Sequence, residues 1–461
     1  MNQNQLLRSV VIAFLTALFF LAPEGHSPWI IWLCLAVFYS VGIPALRGVE
    51  VVPGLRTPLA ARPLFYAYIY LLLFYPYQLY VLGLYDLQAN RFLDVSFVEK
   101  SNASLLLSTV GVLAFDLGYS IRFRHVSVDS KSHAYGLVPW LLVGGLAAVV
   151  AIYWRSGLSS ALVGAYVGST TGDVTTDGIY FLCTAFSMWT SGAFVFQLAR
   201  RSKVSPVLWV GMAIVAVWSM ALLVMGDRNN FFLIVLVLVG GYATFVKRVP
   251  LLILIAGVFC AFFVYNVVEV ARKTEDRSFQ AIRQVASNGQ DVPRGLEEGS
   301  FGITTITSRA ALSVVEEETG YFYGKFKLIG FAGIVPYSRS LFVAQTDRFE
   351  ASSRVLTYWM VGPYGTWGVG SNVISDAYLD FGAPGVIVFL FLLGLLGKYV
   401  EVKASANPTS MKWVTAYLLT VATFAEMARY TVDFPVRCIV WGLLIFYLGA
   451  SLFGLKVGRS R

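Results

Sequence analysis

Twelve apolar stretches run through this chain, and most of them are long enough to cross a membrane as a helix. Such a helix needs about 20 mostly apolar residues. Charged residues make up only 13% of the 461 residues, whereas a soluble domain has roughly 25%. The sequence therefore predicts an all-α polytopic membrane protein and excludes a soluble enzyme. The predicted spans are 9–22, 28–46, 63–85, 103–121, 136–154, 178–199, 206–225, 229–246, 250–270, 383–400, 411–428 and 434–455.

The lysines and arginines between these spans indicate the orientation of the chain. Short loops that stay in the cytoplasm carry an excess of Lys and Arg. Alternate loops on one side hold 18 of the 35 Lys and Arg residues, and the short loops on the other side hold 6. This alternation predicts twelve spans with both termini in the cytoplasm. The net charge of +9 is explained by this orientation, so it does not indicate a nucleic-acid partner.

The segment 271–382 separates spans nine and ten and is predicted to lie on the outer face. A connection this long usually has a role of its own. Apolar and aromatic residues recur along it, and the patterns at 278–287 and 303–318 predict amphipathic helices. The chain thus divides into a nine-span part, 1–270, a large external loop, 271–382, and a three-span part, 383–461.

The residues that usually bind metals are scattered. The three histidines are His26, His125 and His133, and the four cysteines all fall inside predicted spans without a CxxC pair. A zinc site needs several such ligands at close spacing. The sequence therefore predicts no metal site and no bound cofactor.

A basic patch lies between residues 321 and 372, where five cations face only Asp347 and Glu350. Arg presents a planar fork of N–H donors that binds phosphate oxygens in pairs. We expect the patch to bind a phosphate-containing ligand, or alternatively membrane lipid headgroups or the acidic residues 316–318. Its members are Lys325, Lys327, Arg339, Arg348 and Arg354.

The GDRNN motif, 226–230, places Asp227 and Arg228 between two spans on the outer side. A charge at this depth is costly unless it is paired or functional. One interpretation is an Asp–Arg pair that caps the helical hairpin. The other is that Arg228 points into a cavity and holds an anion.

Several acidic residues are candidates for acid–base chemistry. Asp376 and Asp380 are four residues apart, so both carboxylates can share one helix face at the entry to span ten. A carboxylate there can act as a general base for a sugar hydroxyl, although N-terminal capping of the span is the favoured role for Asp380. Asp116 and Glu426 lie within predicted spans and are either functional or structural partners of an arginine on a neighbouring helix.

Three features resemble the O-antigen and oligosaccharide repeat-unit polymerases, the Wzy family. The first is about twelve spans with one dominant external loop late in the chain. The second is the GDRNN turn, which is similar to a G-x-R turn in that family. The third pairs VPYSRSLF, 335–342, with SNVISDAYLDFGAPG, 371–385. The resemblance covers about 206–400, and Arg309 with Gly320 and Arg354 with Gly365 also fit an Arg-x10-Gly pattern of some members.

The resemblance implies a GT-C-like membrane enzyme of the bacterial inner membrane. Its reaction would transfer a growing glycan from undecaprenyl pyrophosphate to an incoming lipid-linked repeat unit on the periplasmic face, and a chain-length co-polymerase is a possible partner. Arginines rather than a metal would stabilise the leaving pyrophosphate. The general base is predicted to be Asp376 first and Glu269 second. The predicted substrate-binding residues are Arg228, Arg339 and Arg354, with Arg309, Arg348 and Tyr358 as further candidates.

Two other functions compete with this interpretation. The related O-antigen ligases use a histidine in their large external loop, and 271–382 contains none. A lipid-linked oligosaccharide flippase or another transporter usually has two similar halves. Here nine predicted spans precede the long loop and three follow it, and this asymmetry favours the polymerase.

Overall fold

The computed structural model describes residues 3–88, 93–123, 137–155, 174–200, 203–271, 300–335, 338–342, 349–363, 368–429, 431 and 433–457. The predicted helix at 278–287 and Arg348 lie outside these residues. What is described is almost entirely helical, and a helix occupies each of the twelve predicted spans.

The first ten helices form most of the bundle. They are α1 (Gln3–Phe20), α2 (Pro28–Leu46), α3 (Ala61–Ile69), α4 (Tyr75–Val81), α5 (Ser101–Tyr119), α6 (Val138–Tyr153), α7 (Val174–Ala199), α8 (Pro206–Val224), α9 (Arg228–Gly241) and α10 (Leu251–Ala271). The π-helical turn Tyr70–Phe74 joins α3 to α4, and an antiparallel hairpin of β1 (Val49–Val52) and β2 (Leu55–Thr57) connects α2 to α3.

The later helices include three short ones before the last spans. They are α11 (Ser300–Val314), α12 (Lys325–Ala332), α13 (Ser352–Val361), α14 (Val373–Ala406), α15 (Met411–Ala425) and α16 (Asp433–Val457). Within the described part of the chain, eight helices are long and apolar enough to cross a membrane. The protein is therefore a multi-pass membrane protein.

Helices α5 and α14 pack at the centre of the bundle because glycines let their backbones touch. A side chain at Gly118 of α5 would overlap the carbonyl oxygen of Phe391, and one at Gly394 of α14 would overlap that of Phe115. Small residues allow this close approach between membrane helices. The position of α14, which carries Asp376 and Asp380, is thus set by backbone contact.

Helix α14 is broken at Gly382, whose backbone has φ 65° and ψ −157°. Gly tolerates positive φ at little cost, and a Cβ here would also lie 2.9 Å from the hydroxyl of Tyr321. The break separates a polar half-helix from the apolar part that was predicted to start at 383. Asn372, rather than the expected Asp380, caps α14, since its side chain accepts hydrogen bonds from the backbone N–H groups of Ile374 and Ser375.

Helix α11 is buried on every side, with all residues from Gly302 to Val315 shielded from solvent. The sequence predicts an amphipathic helix here, and this expectation of a one-sided helix is wrong. The hydroxyl groups find partners inside the bundle: Thr305 donates to the carbonyl oxygen of Leu72 at 2.6 Å, and Thr307 accepts from the Asn372 amide at 3.0 Å. A satisfied hydroxyl is cheap to bury.

The bundle has two distinct ends. At the capped end, α11, α12 and α13 lie against the first residues of α5, α14 and α16. At the opposite end, Asp116 forms ion pairs with Arg8 at 2.8 Å and with Arg62 at 2.6 Å. Asp116 is therefore a structural partner of arginines on two neighbouring helices, one of the two roles that its position predicted.

Candidate functional site

Two clusters of charged and polar side chains lie at the capped end. The lysine cluster consists of Lys327, Ser352, Asp376 and Asp380, and the arginine cluster consists of Arg228, Glu426 and Arg429. Each cluster joins segments that are far apart in the sequence. Both contain residues that the sequence singled out, together with partners that it did not.

The lysine cluster is built around the ammonium group of Lys327 on α12. This group donates to Oδ2 of Asp376 at 2.6 Å, to the backbone oxygen of Asp376 at 2.9 Å and to Oδ2 of Asp380 at 3.3 Å. All three side chains are buried. Asp376 and Asp380 do share one face of α14, as their spacing predicted. Lys327 does not belong to an exposed basic patch, because it is enclosed by these carboxylates.

Asp380 caps a different helix from the one expected. Its two carboxylate oxygens accept hydrogen bonds from the backbone N–H groups of Phe326 at 3.1 Å and Lys327 at 3.0 Å. These groups belong to the first turn of α12, where backbone N–H groups lack partners within the helix. Asp380 therefore fixes α12 against α14 instead of capping α14.

Asp376 ties a third helix to the cluster. Its Oδ1 accepts from the hydroxyl of Ser352 at 2.8 Å, at the first residue of α13, and Ser352 lies 3.0 Å from the hydroxyl of Ser371. Both carboxylate oxygens of Asp376 thus accept hydrogen bonds within the protein. The role of Asp376 as a general base stays a prediction, and a substrate hydroxyl would have to replace one of these donors.

The GDRNN motif forms the turn between α8 and α9. Gly226 has φ 78°, and Asp227 caps α9 by accepting from the backbone N–H of Asn230 at 3.2 Å and from its side-chain amide at 2.8 Å. The hydroxyl of Tyr180 also donates to Asp227. Asp227 therefore has a capping role, while Arg228 is buried beneath the turn.

The arginine cluster brings Arg228 next to the end of α15. Glu426 follows the last residue of α15 and is buried. The positive charges of Arg429 and Arg228 both act on its carboxylate, and the backbone N–H of Arg429 donates to the Glu426 carbonyl oxygen at 2.8 Å. From the sequence alone, Glu426 is recognisable only as an acidic residue within a predicted span. No local pattern links it to Arg228, about two hundred residues earlier.

Helices α7 and α16 lie between the two clusters. Arg437 of α16 pairs with Asp433 at 2.8 Å and stacks on Phe181 of α7, 5.1 Å from the ring centre. Asp433 in turn contacts α12, because a Cβ on Gly330 would lie 2.7 Å from its carboxyl carbon. The two clusters therefore belong to one polar layer at the capped end.

Arg309 and Arg354 occupy very different surroundings. Arg309 is buried on α11 and donates to the carbonyl oxygen of Leu87 at 3.3 Å and the hydroxyl of Ser101 at 3.5 Å. Arg354 on α13 has 56% of its side chain exposed and pairs with Glu350 at 3.0 Å. Arg354 is thus accessible to a ligand in solution, whereas Arg309 is part of the interior.

The remaining predicted site residues are only partly described. Tyr358 of α13 is half-buried and packs edge-on against Phe349. Arg339 lies in the 3-10 turn Ser338–Leu341 and Glu269 in the last turn of α10, but the side chains of both fall outside the described residues. Among the residues whose side chains are described, no group of three or more His, Cys, Asp or Glu is placed to hold a metal ion.

The fold and this polar layer define a multi-pass membrane protein with a buried charged site at one end of its bundle. The family model for O-antigen polysaccharide polymerase Wzy matches residues 62–455. The match spans most of the chain, so the protein belongs to the O-antigen polysaccharide polymerase Wzy family, whose members are glycosyltransferase-type enzymes. The resemblance inferred from 206–400 is thereby confirmed. No curated protein sequence and no solved structure matches the chain.

Proposed function

We propose that this protein joins undecaprenyl-pyrophosphate-linked oligosaccharide repeat units into O-antigen-type polysaccharide on the periplasmic face of the bacterial inner membrane. The growing glycan is the donor, and the non-reducing end of an incoming lipid-linked unit is the acceptor. Membership of the Wzy family supports this reaction. The helical bundle supports a substrate that reaches the site from the lipid, since both partners in the reaction carry a membrane anchor.

The orientation that we propose has twelve spans, both termini in the cytoplasm and a GT-C-like arrangement. The ion pairs support it, because Arg8, Arg62 and Lys398 lie at the opposite end, where the Lys and Arg excess is expected in the cytoplasm. The capped end, with α11 to α13, would then face the periplasm. Repeat units flipped across the membrane are available on that side.

The observation that carries the proposal is the arginine cluster at the capped end of a Wzy-family protein. Departure of undecaprenyl pyrophosphate leaves negative charge on the diphosphate, and preorganised cations stabilise such charge as it develops. Arg228 and Arg429 form one cationic position, and the exposed Arg354 offers a second. We assign pyrophosphate binding to Arg228 and Arg354 first and to Arg339, Arg348 and Arg309 next, with no requirement for a metal or cofactor.

The acceptor hydroxyl needs a proton acceptor. Asp376 lies at the capped end and is our candidate from the sequence, with Glu269 as the second. Tyr358, on the same helix as Arg354, is a candidate for contact with the sugar rings. A chain-length co-polymerase is a candidate partner.

The proposal is tested with purified protein in nanodiscs that also contain the host's lipid-linked repeat units. We expect a ladder of glycan multiples without added metal or ATP. Arg354→Ala should lower the polymerisation rate by about 10²–10³-fold and leave folding unchanged, because an exposed ion pair contributes little stability. Arg228→Lys keeps the buried charge but removes the planar fork of donors, and it should also lower the rate.

Arg56→Ala is the matched control, since Arg56 is an exposed arginine in β2 near the opposite end. It should give the ladder of the wild-type protein. Wild-type polymer length in both Arg354→Ala and Arg228→Lys would refute pyrophosphate binding by these arginines. No ladder, with repeat units moving from one leaflet to the other, would instead establish a flippase.

A further inference from the structure

We infer that Glu426 is the general base that takes the proton from the acceptor hydroxyl. This inference rests on the proposed polymerase function and replaces Asp376 as the first candidate for that step. It assigns to Glu426 direct contact with the sugar at the non-reducing end of the incoming repeat unit. Four observations support it.

The first observation is that Glu426 is buried and lacks a hydrogen-bond donor. Only 3% of the residue is exposed, yet in the part of the chain that the structure describes no backbone or side-chain group donates to its carboxylate. Buried carboxylates almost always accept hydrogen bonds, because a charge without them is costly to remove from water. Glu426 therefore has acceptor capacity that the protein itself leaves unused.

The second observation is the contrast with the other acids of the capped end. Asp227 accepts from Tyr180 and Asn230, Asp380 from the first turn of α12 and Asp433 from Arg437. Asp376 accepts on both oxygens. Each of these carboxylates already has a structural role that occupies it. A general base must be within hydrogen-bond reach of the proton it removes, and Glu426 meets this condition without first releasing a partner.

The third observation is the charge around Glu426. Two positive charges attract its carboxylate: that of Arg429, three residues later in the chain, and that of Arg228, on α9. The negative charge of Asp227 repels it. The two arginines offset part of the cost of burying the carboxylate charge.

The fourth observation is location. Glu426 follows α15 at the capped end, and the turn 427–429 comes directly after it. At the same end, Asp433 and Arg437 in the first turn of α16 contact α12 and α7. The site therefore lies in the polar layer already described, at the end of the bundle that we assign to the periplasm.

The chemical step balances with these groups alone. The carboxylate of Glu426 takes the proton of the acceptor hydroxyl as the oxygen forms a bond to the anomeric carbon of the donor sugar. The bond from that carbon to the diphosphate oxygen breaks, and its electron pair leaves with undecaprenyl pyrophosphate. Arg228 and Arg429 stabilise the charge on the diphosphate, and Glu426 then returns the proton to water or to the released diphosphate.

The test compares Glu426→Gln with the wild-type protein in the nanodisc polymerisation assay. Gln has the same shape but cannot accept the proton, so kcat should fall by about 10²–10⁴-fold while KM for the lipid-linked unit changes by less than about threefold. The thermal unfolding temperature should not fall, since the substitution removes a buried charge that has no donor. Glu401→Gln is the matched control, because Glu401 is a buried glutamate at the opposite end. Its activity per folded molecule should equal that of the wild-type protein.

A second variant separates proton transfer from positioning of the arginines. Glu426→Ala opens space beside Arg228 and Arg429, and added formate should restore part of its activity by acting as the missing carboxylate. Activity of Glu426→Gln within threefold of the wild-type protein would overturn the inference, as would a loss in Glu426→Ala that formate does not relieve. A wild-type protein that makes no ladder would instead refute the polymerase function, so the two failures are distinguishable.

Discussion

Replacing Lys327 with methionine tests whether the lysine cluster holds the capped end together. Methionine keeps much of the length and volume of the side chain but removes the ammonium group that lies between Asp376 and Asp380. Both carboxylates would then stay buried without their cation. Helix α12 would keep Asp380 as its cap, because the donors there are backbone N–H groups.

The loss of unfolding free energy in Lys327→Met depends on the hydrogen bonds that the two carboxylates keep. Breaking a buried ion pair by removing one partner costs about 3–5 kcal/mol. Asp380 retains two N–H donors and Asp376 retains Ser352, so we expect the lower end, about 3 kcal/mol of unfolding free energy. That is roughly a hundredfold change in the folding equilibrium. The double variant Lys327→Met with Asp376→Asn should recover about 1–2 kcal/mol, since neighbouring sites couple by this amount.

The assay is unfolding of the purified protein in detergent or nanodiscs, followed by tryptophan fluorescence. Lys325→Met is the matched control, because Lys325 lies two residues earlier on α12 and is only half-buried. We expect it to cost less than about 1 kcal/mol. If Lys327→Met costs no more than Lys325→Met, the lysine cluster does not stabilise the fold and the reasoning is refuted.

Two further predictions concern the bundle. Asp116→Asn should cost about 3 kcal/mol or more in the same unfolding assay, because it leaves Arg8 and Arg62 beside a neutral amide; a change below 1 kcal/mol would contradict this. Gly394→Leu should abolish the monodisperse folded fraction after extraction from the membrane, since its side chain overlaps the backbone of α5, whereas Gly144→Leu should not, because no atom lies within 4 Å of a Cβ there. Equal yields of the two variants would disprove the role of the glycine contact.

Several features of the fold were predictable because they depend on local sequence. The second predicted span, 28–46, has the same bounds as α2 (Pro28–Leu46). An apolar run of this length has few alternatives to a membrane helix, since every backbone polar group must be paired in lipid. The pairing of Asp376 and Asp380 on one face was also predictable, because helical geometry places residues four apart together.

Other features depended on partners that no local pattern reveals. The hydroxyl-rich face of α11 is typical of a surface helix, yet Asn372 and the backbone of α3–α4 supply partners that allow burial. The sequence predicts that Lys327 is one cation of a basic patch, whereas in the structure it is buried between two carboxylates of α14. Asp380 was the expected cap of its own helix and instead caps α12. In each case the partner of the side chain is determined by the packing of helices that are far apart in the sequence.

The sequence by itself thus determined the membrane class, the apolar helices and the family, because hydropathy, charge placement and short motifs act along the chain. Only the tertiary structure decided which charged residues meet. It placed Arg228 near Glu426 and, among the residues that it describes, gave the Glu426 carboxylate no hydrogen-bond donor, while it gave partners to Asp227, Asp376 and Asp380. The physical reason is that the energy of a buried charge depends on its nearest neighbours in space, and these come from helices whose packing no short stretch of sequence specifies.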